Sequence, residues 1–78
     1  MVSYSLLVQP SALKELEAVA PKDRRRIVTR IEELVPDPRP RGCEKLSGLE
    51  QYRVRQGDYR VIYSVDDEAN TVVVVKGH

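Results

Sequence analysis

The chain has few of the residues that crosslink small domains or bind metal ions. Its 78 residues include one cysteine, Cys43, and one histidine, His78, so an internal disulfide cannot form and paired Cys–His metal spacing does not occur. A lone cysteine is typical of reducing compartments, which predicts the cytosol. No charged-then-apolar leader opens the chain, and no apolar run approaches the ~18 residues of a membrane span. We therefore expect a cytoplasmic protein with no membrane contact, no metal and no cofactor.

Neither sign of charge dominates the composition. Lys and Arg number 13 and Asp and Glu number 12, so the net charge of +1 does not indicate a nucleic-acid binder. A chain of this length is one small domain, which buries only about 60% of its unfolded surface. The distribution of charge is uneven, because residues 39–60 hold three acidic side chains and six basic ones. The basic residues are Arg39, Arg41, Lys45, Arg53, Arg55 and Arg60.

The first half of the chain predicts a strand followed by two helices. Residues 4–9 alternate loosely, and Ser11 is a plausible N-cap for the first helix. Pro21 ends that helix and begins the second, since proline suits a first helical turn. The apolar positions recur at three- and four-residue spacing: Leu13, Leu16, Val19 and Ala20 in the first helix, and Ile27, Val28, Ile31, Leu34 and Val35 in the second.

The second half predicts a sheet. Residues 36–49 form a proline-rich loop, and a hairpin and a final strand over residues 71–76 follow. The run from Val72 to Val75 indicates burial on both faces of that strand. The order β-α-α-β-β-β predicts an α+β fold with a helical hairpin packed on one face of a small, mainly antiparallel sheet.

The hairpin carries the strongest functional signal. Alternating runs flank Gly57-Asp58, and a tight turn there pairs Arg55 with Arg60. Side chains alternate between faces, so this register places Arg53 on the same face as Arg55 and Arg60. Five apolar or aromatic side chains go to the other face: Tyr52, Val54, Tyr59, Val61 and Tyr63. Like charges opposite each other repel, which indicates an anionic ligand. The alternative is a solvated face paired with acidic residues.

These residues resemble the RelE/ParE toxin superfamily of toxin–antitoxin pairs. The resemblance covers the order of elements and the sequences Lys45-Leu46-x-Gly48, Tyr52-x-Val54, Gly57-Asp58-Tyr59-Arg60-Val61-Ile62-Tyr63 and Val74-Val75-x-Gly77-His78. The hairpin string is the specific part, and it is more similar to RelE than to ParE. The resemblance implies one RelE-like toxin domain over residues 1–78. It also implies a RelB-like antitoxin as partner.

The resemblance implies a ribosome-dependent endoribonuclease that cuts mRNA in the decoding site. The family's two basic positions of the second strand match Arg53 and Arg55, and its third-strand arginine matches Arg60. Lys45 is a further candidate RNA contact. The family usually adds an arginine just after the last strand and a tyrosine in a short C-terminal segment, and the given sequence stops at His78, before either position. Two alternatives therefore stay open: a ParE-like inhibitor of DNA gyrase, and a weakened toxin that only binds its antitoxin.

Metal-free RNA cleavage needs a proton acceptor, a stabiliser of phosphate charge and a proton donor. Arginine suits the second task, because its planar fork donates two hydrogen bonds to phosphate and it is not a base in proteins. His78 is a candidate acid or base, the alternative being an exposed terminal residue. The hairpin tyrosines fall on the core face and are expected to be structural. Three consecutive helical arginines, Arg24, Arg25 and Arg26, could contact RNA but cannot all share one face.

Overall fold

Two helices cover one face of a five-stranded sheet in the computed structural model, which describes residues 3–46 and 51–77. The elements in chain order are β1 (Ser5–Val8), α1 (Pro10–Glu17), α2 (Pro21–Glu32), β2 (Glu44–Lys45), β3 (Gln51–Gln56), β4 (Tyr59–Asp66) and β5 (Thr71–Gly77). The strands lie in the order β1-β5-β4-β3-β2. Only the β1–β5 pair is parallel, so the predicted α+β fold is confirmed.

The core lies between the helices and the covered face of the sheet. Apolar residues at helical spacing meet alternate residues of β3, β4 and β5, as expected for one buried stripe per helix and one buried face per strand. The buried side chains are Ala12, Leu16, Val19, Ile27, Ile31, Leu34, Tyr52, Val54, Val61, Tyr63, Val65, Val72 and Val74. The opposite face of the sheet carries neither helix.

The helix boundaries differ from the sequence prediction at α1. The helix begins at Pro10, and Gln9 is the N-cap with extended backbone and no side-chain hydrogen bond. The prediction of Ser11 as N-cap is wrong, because proline at the first helical position already supplies the required φ. Two members of the predicted apolar stripes, Leu13 and Val28, are 50% and 38% exposed. These two side chains lie at the solvent side of their helices.

Two predictions for the strands are also wrong. The loop over residues 36–49 contains a short strand, β2, whose Glu44 pairs with Arg53. Two residues show no periodicity, so only the partner strand reveals this pairing. The valine run is not buried on both faces: Val72 and Val74 are buried, whereas Val73 and Val75 are half-buried. The reason is that the second face of the sheet has no covering layer.

Arg24, a residue of α2, caps the C-terminal end of α1. Its Nε donates to the Leu16 carbonyl at 2.9 Å, and its Nη2 donates to the carbonyls of Glu17 and Val19 at 2.8 and 3.0 Å. The last carbonyls of a helix lack intrahelical donors, and a cation there also complements the helix dipole. Arg24 is therefore a structural residue. Of the three consecutive arginines, Arg25 and Arg26 are exposed.

A second polar cluster fixes the proline-rich loop to the sheet. Arg39 binds Asp67 through both terminal nitrogens at 3.2 and 2.8 Å, and its Nε donates to the Tyr52 hydroxyl at 2.9 Å. Tyr4 donates to Asp67 at 2.8 Å. Arg39 and then Tyr4 lower the pKa of Asp67, since both donate to its carboxylate. Arg39 is thus committed to the fold.

Candidate functional site

The hairpin of β3 and β4 has the register predicted from the sequence. Arg55 lies opposite Arg60, and Gln56 lies opposite Tyr59 across a two-residue turn. Gly57, the first turn residue, has φ +62°, which fits a type II′ turn with glycine in first position. A one-residue slip would move every side chain to the other face, so this turn fixes which residues leave the core.

Arg55 and Arg60 form an uncompensated pair of cations on the uncovered face. Both side chains are exposed, and neither makes an ion pair with any described residue. In a hairpin with a two-residue turn, the pair next to the closing pair is not hydrogen-bonded, and its side chains lie closest together. Two unit charges about 6 Å apart repel by roughly 0.7 kcal/mol even in water. The hairpin tip therefore holds positive charge that an anion would neutralise.

Arg53 shares this face but is not free. Its Nη2 bonds the Glu44 carboxylate at 2.8 Å across the β2–β3 pair, and 24% of its side chain is exposed. Its Nε is buried without a hydrogen-bond partner. A buried donor left unpaired is unfavourable, so this guanidinium has capacity for one more acceptor. The three arginines share one face of the sheet as predicted, but Arg53 already forms an ion pair with the Glu44 carboxylate.

Lys76 joins the arginines through an irregularity in β5. Tyr63 pairs with Val74, whereas Ile62, the residue just before Tyr63, pairs with Lys76. Val75 is therefore the extra residue of a bulge. Simple alternation from the buried Val74 would turn residue 76 toward the core. The bulge instead turns Lys76 to the face of Ile62 and places Gly77 against Leu16, where an added Cβ would lie 3.4 Å from that side chain.

A depression of about 340 Å³ opens on the uncovered face beside the hairpin tip. Its walls are one carboxylate, two cations and one apolar side chain, from Asp58, Arg60, Lys76 and Ile62. None of the three charged groups makes an ion pair with a described residue. Cations beside an apolar floor suit a ligand with both phosphate and a ring or sugar. Neither Asp58 nor Lys76 is among the site residues predicted from the sequence.

Comparison with known proteins assigns this fold to a family. The model of the ParE toxin of the type II toxin–antitoxin system, parDE, matches residues 6–76. The chain belongs to this toxin family. No curated protein matches the toxin by sequence.

Solved RelE structures are similar to the toxin over nearly its whole length. A chain of the archaeal RelE–RelB complex from Pyrococcus horikoshii OT3 has a TM-score of 0.87 and 30% identity, with 97% of this chain and 93% of that chain covered. A chain of the RelBE2 complex from Mycobacterium tuberculosis gives 0.86 and 26%, covering 97% and 96%. One from the intact E. coli RelBE complex gives 0.84 and 28%, covering 96% and 94%. The predicted RelE/ParE resemblance is confirmed.

The toxin brings together only part of the site suggested by the resemblance. Arg53, Arg55 and Arg60 share the uncovered face. Lys45 is exposed at the sheet edge, but it pairs with the core-facing Tyr52 and so lies on the other side of the sheet. The prediction for His78 lies outside the described residues.

The hairpin tyrosines do not reach the uncovered face of the toxin. Tyr52 and Tyr63 are buried in the core with their rings stacked at 5.8 Å, and Tyr63 donates to the Pro38 carbonyl at 2.7 Å. Burial raises the pKa of Tyr63. Burial and the nearby Asp23 also raise the pKa of Tyr59, whose hydroxyl lies 3.3 Å from that carboxylate. The hairpin tyrosines therefore pack in or against the core, on the helical side of the sheet.

The described part of the toxin has neither a cluster of metal ligands nor a helix that could span a membrane. Residues 3–46 and 51–77 contain no group of three or more His, Cys, Asp or Glu side chains placed to hold a metal ion. Within the same residues, neither helix has the length and apolar character needed to cross a membrane.

Proposed function

We propose that the toxin is a ribosome-dependent endoribonuclease that cuts mRNA in the decoding site. The observation that carries this proposal is the pair of exposed arginines, Arg55 and Arg60, beside the depression on the uncovered sheet face. Arginine forks match the geometry of phosphate oxygens, and positioned donors of this kind stabilise the charge that develops at a reacting phosphorus. The cleavage reaction would take place in the cytosol, and the toxin's partners would be the ribosome and mRNA.

A purified translation mixture tests the proposal. We expect added toxin to cut mRNA at the codon in the decoding site of stalled ribosomes, and naked mRNA to stay intact. Arg60→Glu should abolish cutting without lowering the melting temperature, because Arg60 is exposed, forms no ion pair with a described residue and lies opposite Arg55, which repels it. Lys22→Glu makes the same change of charge on the helical side of the protein and should cut like wild type. Intact mRNA with ribosomes and wild-type toxin would reject the proposal.

A second candidate function rests on the family model, which is named for the ParE toxin. A ParE-like member would inhibit DNA gyrase by binding it and would cut no RNA. A supercoiling assay with purified gyrase separates the two functions. Inhibition of supercoiling together with intact mRNA would favour the second candidate, whereas cut mRNA and normal supercoiling would favour the first.

The toxin is expected to be neutralised by a RelB-like antitoxin. Its exposed charge and exposed apolar groups indicate how: acidic antitoxin residues would pair with Arg55 or Arg60, or displace Glu44 from Arg53. An apolar segment would cover Leu13 and Val28 on the helices. A structure of the complex with the antitoxin remote from the uncovered face would contradict this arrangement. A toxin that binds antitoxin but neither cuts mRNA nor inhibits gyrase would be the weakened form.

A further inference from the structure

The arginine pair does not account for the proton transfers that RNA cleavage requires. The attacking 2′-oxygen must lose a proton, and the departing 5′-oxygen must gain one. Arginine stays protonated in proteins and so stabilises charge without accepting a proton. Tyr52 and Tyr63 are buried on the far side of the sheet, and Glu44 is bound to Arg53. Among the described residues, an acceptor and a donor must therefore come from other groups near Arg60.

The depression beside Arg60 contains one group of each kind. Asp58 supplies a carboxylate, which is a hydrogen-bond acceptor when ionised, and Lys76 supplies an ammonium, which is a donor. Both stand free of ion pairs with described residues, so neither is committed to holding the fold. Arg60 lies on the same strand face as Ile62, which is paired with Lys76. The charge-stabilising group thus has a proton acceptor and a proton donor beside it.

The β5 bulge is a second observation that points to Lys76. If β5 continued without the bulge, regular alternation from the buried Val74 through Val75 would direct Lys76 toward the apolar core and Gly77 toward the uncovered face. Bulges occur next to active sites, where they re-aim a side chain. The bulge places the Lys76 side chain in the wall of the depression, and Gly77 occupies the buried position against Leu16.

We propose that Asp58 and Lys76 are the general base and general acid of the cleavage site, with Arg60 between them on the phosphate. This assignment rests on the proposed ribonuclease function. The Asp58 carboxylate takes the proton of the 2′-hydroxyl as the 2′-oxygen forms a bond to phosphorus. The bond from phosphorus to the 5′-oxygen breaks, and its electron pair takes a proton from the Lys76 ammonium. The products are a 2′,3′-cyclic phosphate and a 5′-hydroxyl.

A sulfur leaving group tests the acid separately from the base. In an mRNA with sulfur replacing the 5′-oxygen at the scissile position, the departing thiolate needs no proton, because thiols are far more acidic than alcohols. Single-turnover cutting on programmed ribosomes would be measured for this mRNA and for the natural one. Lys76→Gln should cut the natural mRNA about 10²–10⁴-fold more slowly than wild type. It should cut the sulfur mRNA within about ten-fold of the wild-type rate, since the missing proton is no longer required.

Two variants provide matched controls. Lys76→Arg keeps the positive charge but cannot give up its proton, so it should bind ribosomes like wild type and show the same defect and the same sulfur rescue as Lys76→Gln. Asp58→Asn keeps the shape of the side chain and suits a turn, but it cannot accept the proton. It should lose about 10²–10⁴-fold on both mRNAs, with no rescue by sulfur.

The outcomes distinguish the assignment from the function on which it rests. Wild-type toxin that cuts mRNA while Lys76→Arg or Asp58→Asn cuts equally well would overturn the assignment and leave the ribonuclease function standing. Sulfur rescue of His78→Gln in place of Lys76→Gln would also overturn it, because the acid would then be His78. Wild-type toxin that leaves both mRNAs intact would overturn the function and the assignment together.

Discussion

Replacing Arg60 with glutamine should make the toxin more stable and less active. Arg60 lies directly opposite Arg55, is exposed and has no anionic partner among the described residues. Two like charges directly opposite each other on neighbouring strands repel by roughly 0.2–1 kcal/mol, so removing one of them should raise the free energy of unfolding by about that amount. For a domain of this size, 0.5 kcal/mol raises the melting temperature by about 2–4 °C.

The activity should change in the opposite direction. Loss of one positioned donor to a reacting phosphate lowers the rate about 10²–10³-fold. The assays are thermal unfolding and ribosome-dependent cutting of mRNA. In 1 M salt the screening length falls to about 3 Å, so the gain in stability should disappear. Arg60→Lys is the matched control, because it retains the charge and should show no gain in stability.

Arg53→Gln provides the internal comparison on the same face. Arg53 is bonded to Glu44, so its removal should lower the free energy of unfolding by up to about 1 kcal/mol. The reasoning would be refuted if Arg60→Gln lost stability as Arg53→Gln does. It would also be refuted if the Arg60→Gln gain persisted in 1 M salt, or if this variant cut mRNA at the wild-type rate.

Three further predictions concern groups that hold the fold. Arg39 lowers the pKa of Asp67, so the stability that this carboxylate contributes is complete above its unfolded value of 3.8 and is lost as pH falls through the folded pKa. Asp67→Asn should therefore flatten the decline in melting temperature at acid pH. Tyr63→Phe leaves the Pro38 carbonyl without its buried donor and should lower the free energy of unfolding by about 1–3 kcal/mol in urea titrations. Gly57→Ala places a side chain at φ +62° and should lower the free energy of unfolding by about 1–2 kcal/mol in the same titration, with the register of the hairpin unchanged by NMR.

The hairpin was predictable from the sequence because local signals agree there. A glycine-led turn fixes the register, and alternation then assigns every side chain of β3 and β4 to a face. The positions of Arg53, Arg55 and Arg60 follow from those two facts. The helical layer was predictable for the same reason, since its apolar spacing and Pro21 fix the faces and one boundary.

The rest of the site depends on contacts between distant residues. Glu44 neutralises Arg53 only because a two-residue strand pairs with β3, and two residues carry no periodic signal. Lys76 reaches the depression through a bulge, which breaks the alternation from which its face would be predicted. Arg24 is one of three consecutive helical arginines, and its role as a cap depends on its contact with the end of the neighbouring helix. Exposed Leu13 and Val28 show that helical spacing alone overestimates burial.

Mapping of mRNA ends on programmed ribosomes tests the central claim most directly. Ribosomes stalled at a defined codon would be mixed with wild-type toxin or with Arg60→Gln, and the 5′ ends of the mRNA fragments located by primer extension. The claim predicts one cut within the codon in the decoding site for wild type and at least about 10²-fold less for Arg60→Gln. Uncut mRNA with wild-type toxin, or equal cutting by both proteins, would contradict it.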